Sequence, residues 1–198
     1  MNASAKVVLV AVAAGTLGVV ASLLTSGPGP VWKTEVGQRA LNSAMQATAP
    51  PVPKGVAVAK RGERVPSFTL PAIDGTRIDL PTHYAGRPVL INVWASWCGP
   101  CVKEMPALQS FAGEQGANGV QVVGIALDDV AAVRAFVART GVAYPILVDT
   151  PGPADAGVRL GNPKGVLPYS MLISPEGQLL KQRIGPFEEG EIAGWARD

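Results

Sequence analysis

The chain has 198 residues, of which 47% are hydrophobic and 16% are charged, and its formal net charge is +2. This length favours one domain with appendages, and so small a net charge gives no support for nucleic acid as a partner. The two cysteines, Cys98 and Cys101, are too few for the disulfide scaffold of a small secreted protein. Together with the single histidine, His83, they do not complete a four-ligand zinc site, so we expect neither a metal nor another cofactor.

The N-terminal part contains an uncharged apolar run, residues 7–24. As a helix it would span roughly 27 Å, close to the thickness of the hydrocarbon core of a bilayer. The run is longer than the apolar part of an ordinary signal peptide, and the Thr-Ser-Gly-Pro that follows is a poor cleavage site. Lys6 precedes the run and the next basic residue is Lys33, so the positive-inside rule places the rest of the chain outside the cytoplasm. We therefore expect residues 1–25 to be a membrane anchor, with a removed signal peptide as the alternative.

Residues 26–60 are rich in Pro, Ala, Ser and Gly. This composition predicts a linker or stalk, with a possible short helix over residues 35–46. From residue 61 the pattern changes to alternating strand and helix signals. We therefore predict one globular domain over residues 61–198.

The predicted domain opens with a β-hairpin, because the strand-like segments 67–70 and 77–80 flank an Asp-Gly turn at residues 74–75. A continuous apolar run at residues 89–95 then predicts a strand buried on both faces. The later predicted elements are a helix at 101–115, a strand at 120–127, a helix at 130–140 between an Asp128-Asp129 cap and a Gly141 stop, a strand at 146–149, a short helix at 155–160, strands at 169–173 and 178–184, and a helix at 188–197. This alternation predicts an α/β domain with a mixed sheet.

The two cysteines lie in the sequence Trp97-Cys98-Gly99-Pro100-Cys101, where the buried strand gives way to a helix. Free backbone N–H groups at the start of a helix favour an anion, so Cys98 is placed to react as a thiolate. Cys101 is one helical turn further on and can reach back to form a disulfide, and Pro100 removes no hydrogen bond from the first turn. The pattern predicts thiol–disulfide exchange, in which Cys98 forms a mixed disulfide and Cys101 resolves it. Two inert buried cysteines, or half of a zinc site shared with another chain, are the alternatives.

Residues 89–108, VLINVWASWCGPCVKEMPAL, resemble the thioredoxin-like proteins of the TlpA, ResA and CcmG group, and the resemblance covers residues 61–198. It implies a thioredoxin fold with an N-terminal β-hairpin and a central strand–helix–strand insertion at residues 120–149, preceded by one N-terminal transmembrane helix. It also implies a single-pass protein of the bacterial inner membrane, with its catalytic domain in the periplasm or the equivalent extracytoplasmic space. The sequence departs from cytosolic thioredoxin at Asn92, which stands where thioredoxin has a buried acid.

The same resemblance implies a role for Glu104, which lies three residues after Cys101, as the active-site glutamate does in ResA-like proteins. One helical turn places the two side chains on the same face. Glu104 would then move the proton that Cys101 must lose before it attacks. The alternative is a solvated helix glutamate, paired with Lys103 or with nothing.

A second implied feature is Pro168, which precedes the final hairpin, where thioredoxin-fold proteins carry a cis-proline facing the two cysteines. The backbone of Leu167 would dock the partner peptide in a strand-like way. A trans-proline in an ordinary loop is the alternative. Trp97, Gly99 and Pro100 would complete the surface that binds the substrate.

The implied function is the reduction of disulfides in exported proteins, with apocytochrome c or a copper-delivery protein for cytochrome oxidase as the substrate. A membrane thiol transporter of the CcdA or DsbD kind would supply the electrons. Two other functions are open. A thiol peroxidase would need Thr or Ser at the position of Ala95, and a non-enzymatic adaptor would not need the intact cysteine pair.

Overall fold

The computed structural model of the protein describes residues 32–197. The chain divides into two compact units between Leu41 and Asn42, and helix α1 (Glu35–Ala47) crosses that boundary. This helix confirms the one predicted over residues 35–46. The predicted membrane segment, residues 7–24, lies outside the described part of the chain. Within the described part, none of the helices is long and apolar enough to cross a membrane.

Strands and helices alternate through the second unit. Their order is β1 (Phe68–Pro71), β2 (Arg77–Leu80), a short 3₁₀ helix (Thr82–Tyr84), β3 (Val89–Trp94), α2 (Gly99–Glu114), β4 (Gln121–Leu127), α3 (Val130–Thr140), β5 (Ile146–Asp149), α4 (Ala156–Arg159), β6 (Tyr169–Ile173), β7 (Leu179–Ile184) and α5 (Glu191–Trp195). The N-terminal hairpin β1–β2 and the unit β4–α3–β5 are confirmed where the sequence predicts them.

The central sheet has five strands in the order β5-β4-β3-β6-β7. β3 pairs in parallel with β4, and β4 in parallel with β5, so the chain crosses over through a helix between them. β6 is antiparallel to β3 and β7 is antiparallel to β6, which completes the predicted mixed sheet. All six residues of β3 are buried, as expected for a central strand covered on both faces.

Two hydrophobic layers cover the faces of this sheet. α2 and α3 pack on one face, where the Trp94 ring lies 5.1 Å from the Phe136 ring between centroids. The β-hairpin and α4 contribute to the layer on the other face, which includes Leu80 and Leu160. Each fully buried large apolar side chain contributes about 2 kcal/mol to stability. These layers fix the carboxyl end of β3, from which the cysteine-containing loop emerges.

Helix α3 begins and ends at predicted capping residues, whereas α2 begins at Gly99, two residues earlier than predicted, and the last helix also differs from the prediction. The Asp129 carboxylate accepts hydrogen bonds from the first backbone N–H groups of α3, and Gly141 ends that helix with a φ of 72°. The last helix begins at Glu191, three residues later than predicted. The reason is Gly190, whose φ of 76° is a left-handed conformation that does not continue into a helix.

Candidate active site

The loop between β3 and α2 carries both cysteines. Cys98 is the N-cap of α2, and its sulfur accepts a hydrogen bond from the backbone N–H of Cys101 over 3.3 Å. The two sulfurs form a disulfide with an S–S distance of 2.04 Å, and the two Cα atoms are 5.3 Å apart. Pro100 lies in the first turn of α2, where a missing N–H leaves no helical hydrogen bond unmade. The predicted strand-to-helix position of the cysteine pair is confirmed.

The two sulfur-bearing residues differ in accessibility. Cys98 is 7% exposed, whereas Cys101 is completely buried. Trp97 is 69% exposed, and Gly99 and Pro100 also lie at the surface. Of the two cysteines, only Cys98 keeps any exposed surface, and its neighbours Trp97, Gly99 and Pro100 are exposed, which suits an exchange reaction that begins at Cys98.

Glu104 lies on the buried face of α2, one helical turn after Cys101, and is 2% exposed. Its Oε1 accepts a hydrogen bond from Nδ2 of Asn92, and its Oε2 accepts one from the backbone N–H of Phe187, both over 2.8 Å. Burial raises the pKa of Glu104 to about 7, and these hydrogen bonds and the charge of Arg183 limit the rise. A pKa near neutrality allows the carboxyl group to take up or release a proton under these conditions. The alternative of a solvated glutamate is wrong.

Asn92 supports Glu104 from the middle of β3. It is completely buried, and its Nδ2 also donates a hydrogen bond to the Ser170 hydroxyl of β6 over 3.0 Å. In the sequence, Asn92 is notable only because it stands where cytosolic thioredoxin has a buried acid. The signal for its role is a polar amide in an otherwise apolar buried strand, because a buried amide requires a hydrogen-bond partner.

Asp128 holds the loop that leads into Cys98. Its Oδ2 accepts hydrogen bonds from the backbone N–H of Ser96 over 2.8 Å and from the Ser96 hydroxyl over 2.6 Å. Partial burial opposes ionisation, but the hydrogen bonds from Ser96 outweigh it and lower the pKa of Asp128. The prediction of an Asp128-Asp129 cap is thus correct for Asp129 only. Asp128 instead reaches the end of β3, because parallel strands β3 and β4 end at the same edge of the sheet.

The predicted cis-proline is confirmed, since the Leu167–Pro168 peptide bond is cis. Pro168 is buried and directly precedes β6, whose first residue, Tyr169, pairs with Val93 near the carboxyl end of β3. Leu167 is partly buried and packs against the core cluster that contains both cysteines. Leu167 and Pro168 therefore lie at the same edge of the sheet as the cysteine loop. A second cis bond, Leu80–Pro81, is not among the features predicted from the sequence.

A cavity of about 430 Å³ lies between α2 and the segment that contains α5. Glu104 lines it together with Lys103, Phe187 and Glu189. Glu104 thus borders a space large enough for water, which offers its proton a route to solvent.

Disulfide exchange requires a sulfur that a partner can reach and a second sulfur that resolves the mixed disulfide. It is helped by a group that takes up a proton near neutral pH. Cys98, Cys101 and Glu104 meet these requirements on one helix, at the carboxyl end of the central strand. The fold and the site together define a thiol–disulfide oxidoreductase of the thioredoxin-like class.

Comparison with known proteins agrees with this class. The family model described as Redoxin matches residues 60–196, and the chain belongs to that family. It is similar to the thiol-disulfide oxidoreductase ResA of Bacillus thuringiensis (strain Al Hakam), with 30% identity over 139 residues that cover 69% of this chain and 76% of the relative. It is similar to ResA of Bacillus subtilis (strain 168), with 33% identity over 132 residues that cover 66% and 71%. Among solved structures, StoA from Bacillus subtilis matches with a TM-score of 0.55 and 27% identity, covering 66% of this chain and 96% of StoA.

Proposed function

We propose that this protein is an extracytoplasmic dithiol reductant of disulfides in exported proteins. The observation that carries the proposal is the Cys98–Cys101 disulfide at the start of α2, in which Cys98 is 7% exposed and Cys101 is completely buried, on a helix that also buries Glu104. The Gly99-Pro100 pair between the cysteines resembles that of reducing thioredoxins and supports this direction of electron transfer.

The reaction takes two steps. The Cys98 thiolate first attacks one sulfur of the substrate disulfide, so that a mixed disulfide forms and the other substrate sulfur leaves as a thiolate. Cys101 then gives its proton to Glu104 and attacks the Cys98 sulfur. The second substrate thiolate is released, the substrate is reduced by two electrons, and the disulfide between Cys98 and Cys101 closes.

Glu104 serves as the proton acceptor of the second step. Burial brings its pKa to about 7, which suits a group that must exchange protons near neutral pH. The donors from Asn92 and Phe187 stabilise the carboxylate, so that it is available as a base in spite of its burial. The cavity beside Glu104 lets the proton leave after the substrate has been released.

The substrate binds across the exposed surface around Cys98. The Trp97 indole, with Gly99 and Pro100, offers an apolar surface next to the reactive sulfur. The backbone of Leu167, ahead of Pro168, pairs with an extended segment of the substrate in a strand-like way.

Residues 1–25 anchor the protein in the bacterial inner membrane as a single pass, with the catalytic domain outside. The uncharged run of residues 7–24 and the lysine that precedes it support this assignment. A reductant outside the cytoplasm needs a source of electrons, which a membrane thiol transporter of the CcdA or DsbD kind would supply. Apocytochrome c and a copper-delivery protein for cytochrome oxidase are the proposed substrate types. The full chain should remain in the membrane pellet after alkaline extraction, and a variant without residues 7–24 should not.

Trapping with Cys101→Ser tests the assignment of the two cysteines. Without the resolving sulfur, mixed disulfides on Cys98 should accumulate and appear as dithiothreitol-sensitive adducts on non-reducing gels. The matched Cys98→Ser variant keeps only a buried sulfur and should trap little. Equal trapping by the two variants would contradict the assignment, and no adducts from either would favour a non-enzymatic adaptor.

The pH dependence of resolution tests Glu104. In a mixed disulfide of Cys98 with a chromogenic thiol, the release rate should rise with pH through about 7 in the wild type. Glu104→Gln should slow the release and remove this step. An unchanged profile would retire Glu104 as the proton acceptor.

A thiol peroxidase gains no support from the structure. Ala95, at the position where such an enzyme carries Thr or Ser, is completely buried in the core. Purified protein should therefore consume no peroxide in the absence of added thioredoxin.

A further inference from the structure

A partly buried ion pair joins β7 to α5 close to Glu104. Nη1 of Arg183 lies 2.7 Å from Oε1 of Glu191, and Nη2 of Arg183 donates to Oε2 of Glu191 over 2.9 Å. The side chain of Arg183 is 3% exposed and that of Glu191 is 27% exposed. A bidentate pair of this kind fixes both side chains in orientation as well as in distance.

The same guanidinium holds the turn between β7 and α5. Nη2 of Arg183 also donates to the backbone carbonyl of Pro186 over 2.9 Å, and the guanidinium carbon lies 4.6 Å from the centroid of the Phe187 ring. Glu191 closes the turn from the other side, because its Oε2 accepts the backbone N–H of Glu188 over 2.9 Å. The peptide between Pro186 and Phe187 is therefore fixed by contacts on both sides.

That peptide carries the N–H that binds Glu104. Phe187 donates it to Oε2 of the carboxylate over 2.8 Å, across 83 residues of sequence. We propose that the ion pair of Arg183 and Glu191 is a positioning device, which holds the Phe187 N–H against Glu104 and so controls how readily Glu104 accepts the proton of Cys101. The control of proton transfer from Cys101 to Glu104 rests on the function proposed above.

The physical reason is the burial of the acceptor. A hydrogen bond to a buried carboxylate stabilises the ionised form, and its loss leaves a buried charge short of a partner. If the turn loosens, Glu104 should hold its proton to a higher pH and become a weaker base for Cys101 under neutral conditions. A loosened turn therefore slows resolution without removing any group that touches the sulfurs.

Other charged and titratable groups also surround Glu104. Arg183 faces it from β7, Tyr144 from the segment before β5, and the cavity beside it is lined by Lys103, Glu114 and Glu189. Arg183 thus acts in two ways, through its charge and through the turn that it holds. Replacing Glu191 distinguishes the effect of charge from the effect of the turn. The loss of its negative charge would by itself lower the pKa of Glu104, whereas a looser turn would raise that pKa.

The test is a titration of the Glu104 carboxyl carbon by ¹³C NMR in the oxidised full chain, with the backbone amide proton of Phe187 as a second probe. The loss of most of one charge-assisted hydrogen bond predicts that Glu191→Ala raises the pKa of Glu104 by about one pH unit. It should also abolish the response of the Phe187 amide proton to that titration. Glu189→Ala removes a carboxylate from the same cavity without touching the ion pair. It should not raise the pKa of Glu104, and the Phe187 amide proton should still respond to the titration.

A pKa of Glu104 that is unchanged or lower in Glu191→Ala would overturn the proposal. Arg183→Lys supplies a second test that keeps the positive charge and loses the planar fork, and it should shift the pKa of Glu104 in the same direction as Glu191→Ala. If only Arg183→Met raises the pKa and Arg183→Lys behaves like the wild type, the effect is one of charge alone and the positioning role is refuted.

The failure of this proposal can be distinguished from the failure of the proposed function. The NMR titration reports on Glu104 whether or not Glu104 takes part in resolution. If Glu104→Gln leaves the pH profile of resolution unchanged, the proton-acceptor function fails, and the titration still decides the positioning. If that profile does change, Glu191→Ala should displace its midpoint to higher pH, and a midpoint that stays in place would overturn the positioning role.

Discussion

Replacing Glu104 by Gln should remove a pH-dependent part of the stability of the oxidised protein. Burial raises the pKa of Glu104 from an ordinary value of 4.5 to about 7. The fold thus favours the protonated carboxyl group. The corresponding stability is fully present below about pH 4.5, falls as the pH rises, and has been lost once the pH passes about 7. The difference between 7 and 4.5, at roughly 1.4 kcal/mol for each pH unit, amounts to about 3 kcal/mol.

Urea unfolding followed by tryptophan fluorescence measures this contribution. We would determine the free energy of unfolding of the oxidised wild type and of Glu104→Gln from about pH 4 to about pH 9. The free energy of unfolding of the wild type minus that of the variant should fall by about 3 kcal/mol as the pH rises, and this difference should be constant above about pH 8. Glu114→Gln changes an exposed glutamate of the same helix and should follow the wild-type curve.

Two results would refute this reasoning. Parallel curves for the wild type and Glu104→Gln would mean that Glu104 has the same proton affinity in the folded and unfolded chain. A difference that becomes more favourable as the pH rises would mean that the fold favours the carboxylate. In either case the fold would not raise the pKa of Glu104, and the carboxyl group would stay ionised at neutral pH.

Three further predictions concern packing, the cysteine loop and the binding surface. Gly124→Ala should destabilise the protein by about 2 kcal/mol in urea unfolding, because a Cβ there would lie 2.6 Å from the nearest side-chain atom. In helix α2, a Cβ at Gly113 would meet no atom within 4 Å beyond its chain neighbours and the nearby helix backbone, so Gly113→Ala should stabilise the protein by up to about 1 kcal/mol. The reverse order of the two stabilities would contradict the packing. Asp128→Ala should lower the free energy of unfolding by roughly 1 to 2 kcal/mol, since it removes both hydrogen bonds to Ser96, and an unaltered stability would show that these bonds contribute nothing. Trp97→Ala should leave stability within about 0.5 kcal/mol of the wild type, because the side chain is exposed. It should raise KM for a protein disulfide several-fold with little change in kcat, and a pure loss of kcat would argue against a binding role.

The fold could be predicted largely because its signals are local. The strand at Ile146–Asp149 and the helix at Val130–Thr140 have the predicted boundaries, since apolar runs and capping residues fix them within a few positions. The last helix differs because the conformation of Gly190 depends on the turn around it, which no short pattern specifies. The membrane segment at residues 7–24 stays a prediction.

The site could be predicted only in part, for a similar reason. Cys98, Cys101 and Glu104 lie close together in the sequence at the start of one helix, and the resemblance of residues 89–108 to a known family points to Glu104. The partners that give Glu104 its properties come from distant positions, with the Phe187 N–H 83 residues away along the chain. No local pattern reveals a backbone donor supplied by a turn, nor the Arg183 that holds it. The chemistry of the cysteines can therefore be predicted from the sequence, whereas the control of the proton requires the fold.

The reduction potential of the cysteine pair tests the central claim most directly. The full chain would be equilibrated with glutathione or dithiothreitol redox buffers and the oxidised fraction measured by thiol alkylation. A reductant of exported disulfides should have a potential well below the roughly −180 mV of protein disulfide isomerase. A potential near the roughly −120 mV of the strongest dithiol oxidants would mean that the protein forms disulfides, and would contradict the proposed direction of electron transfer.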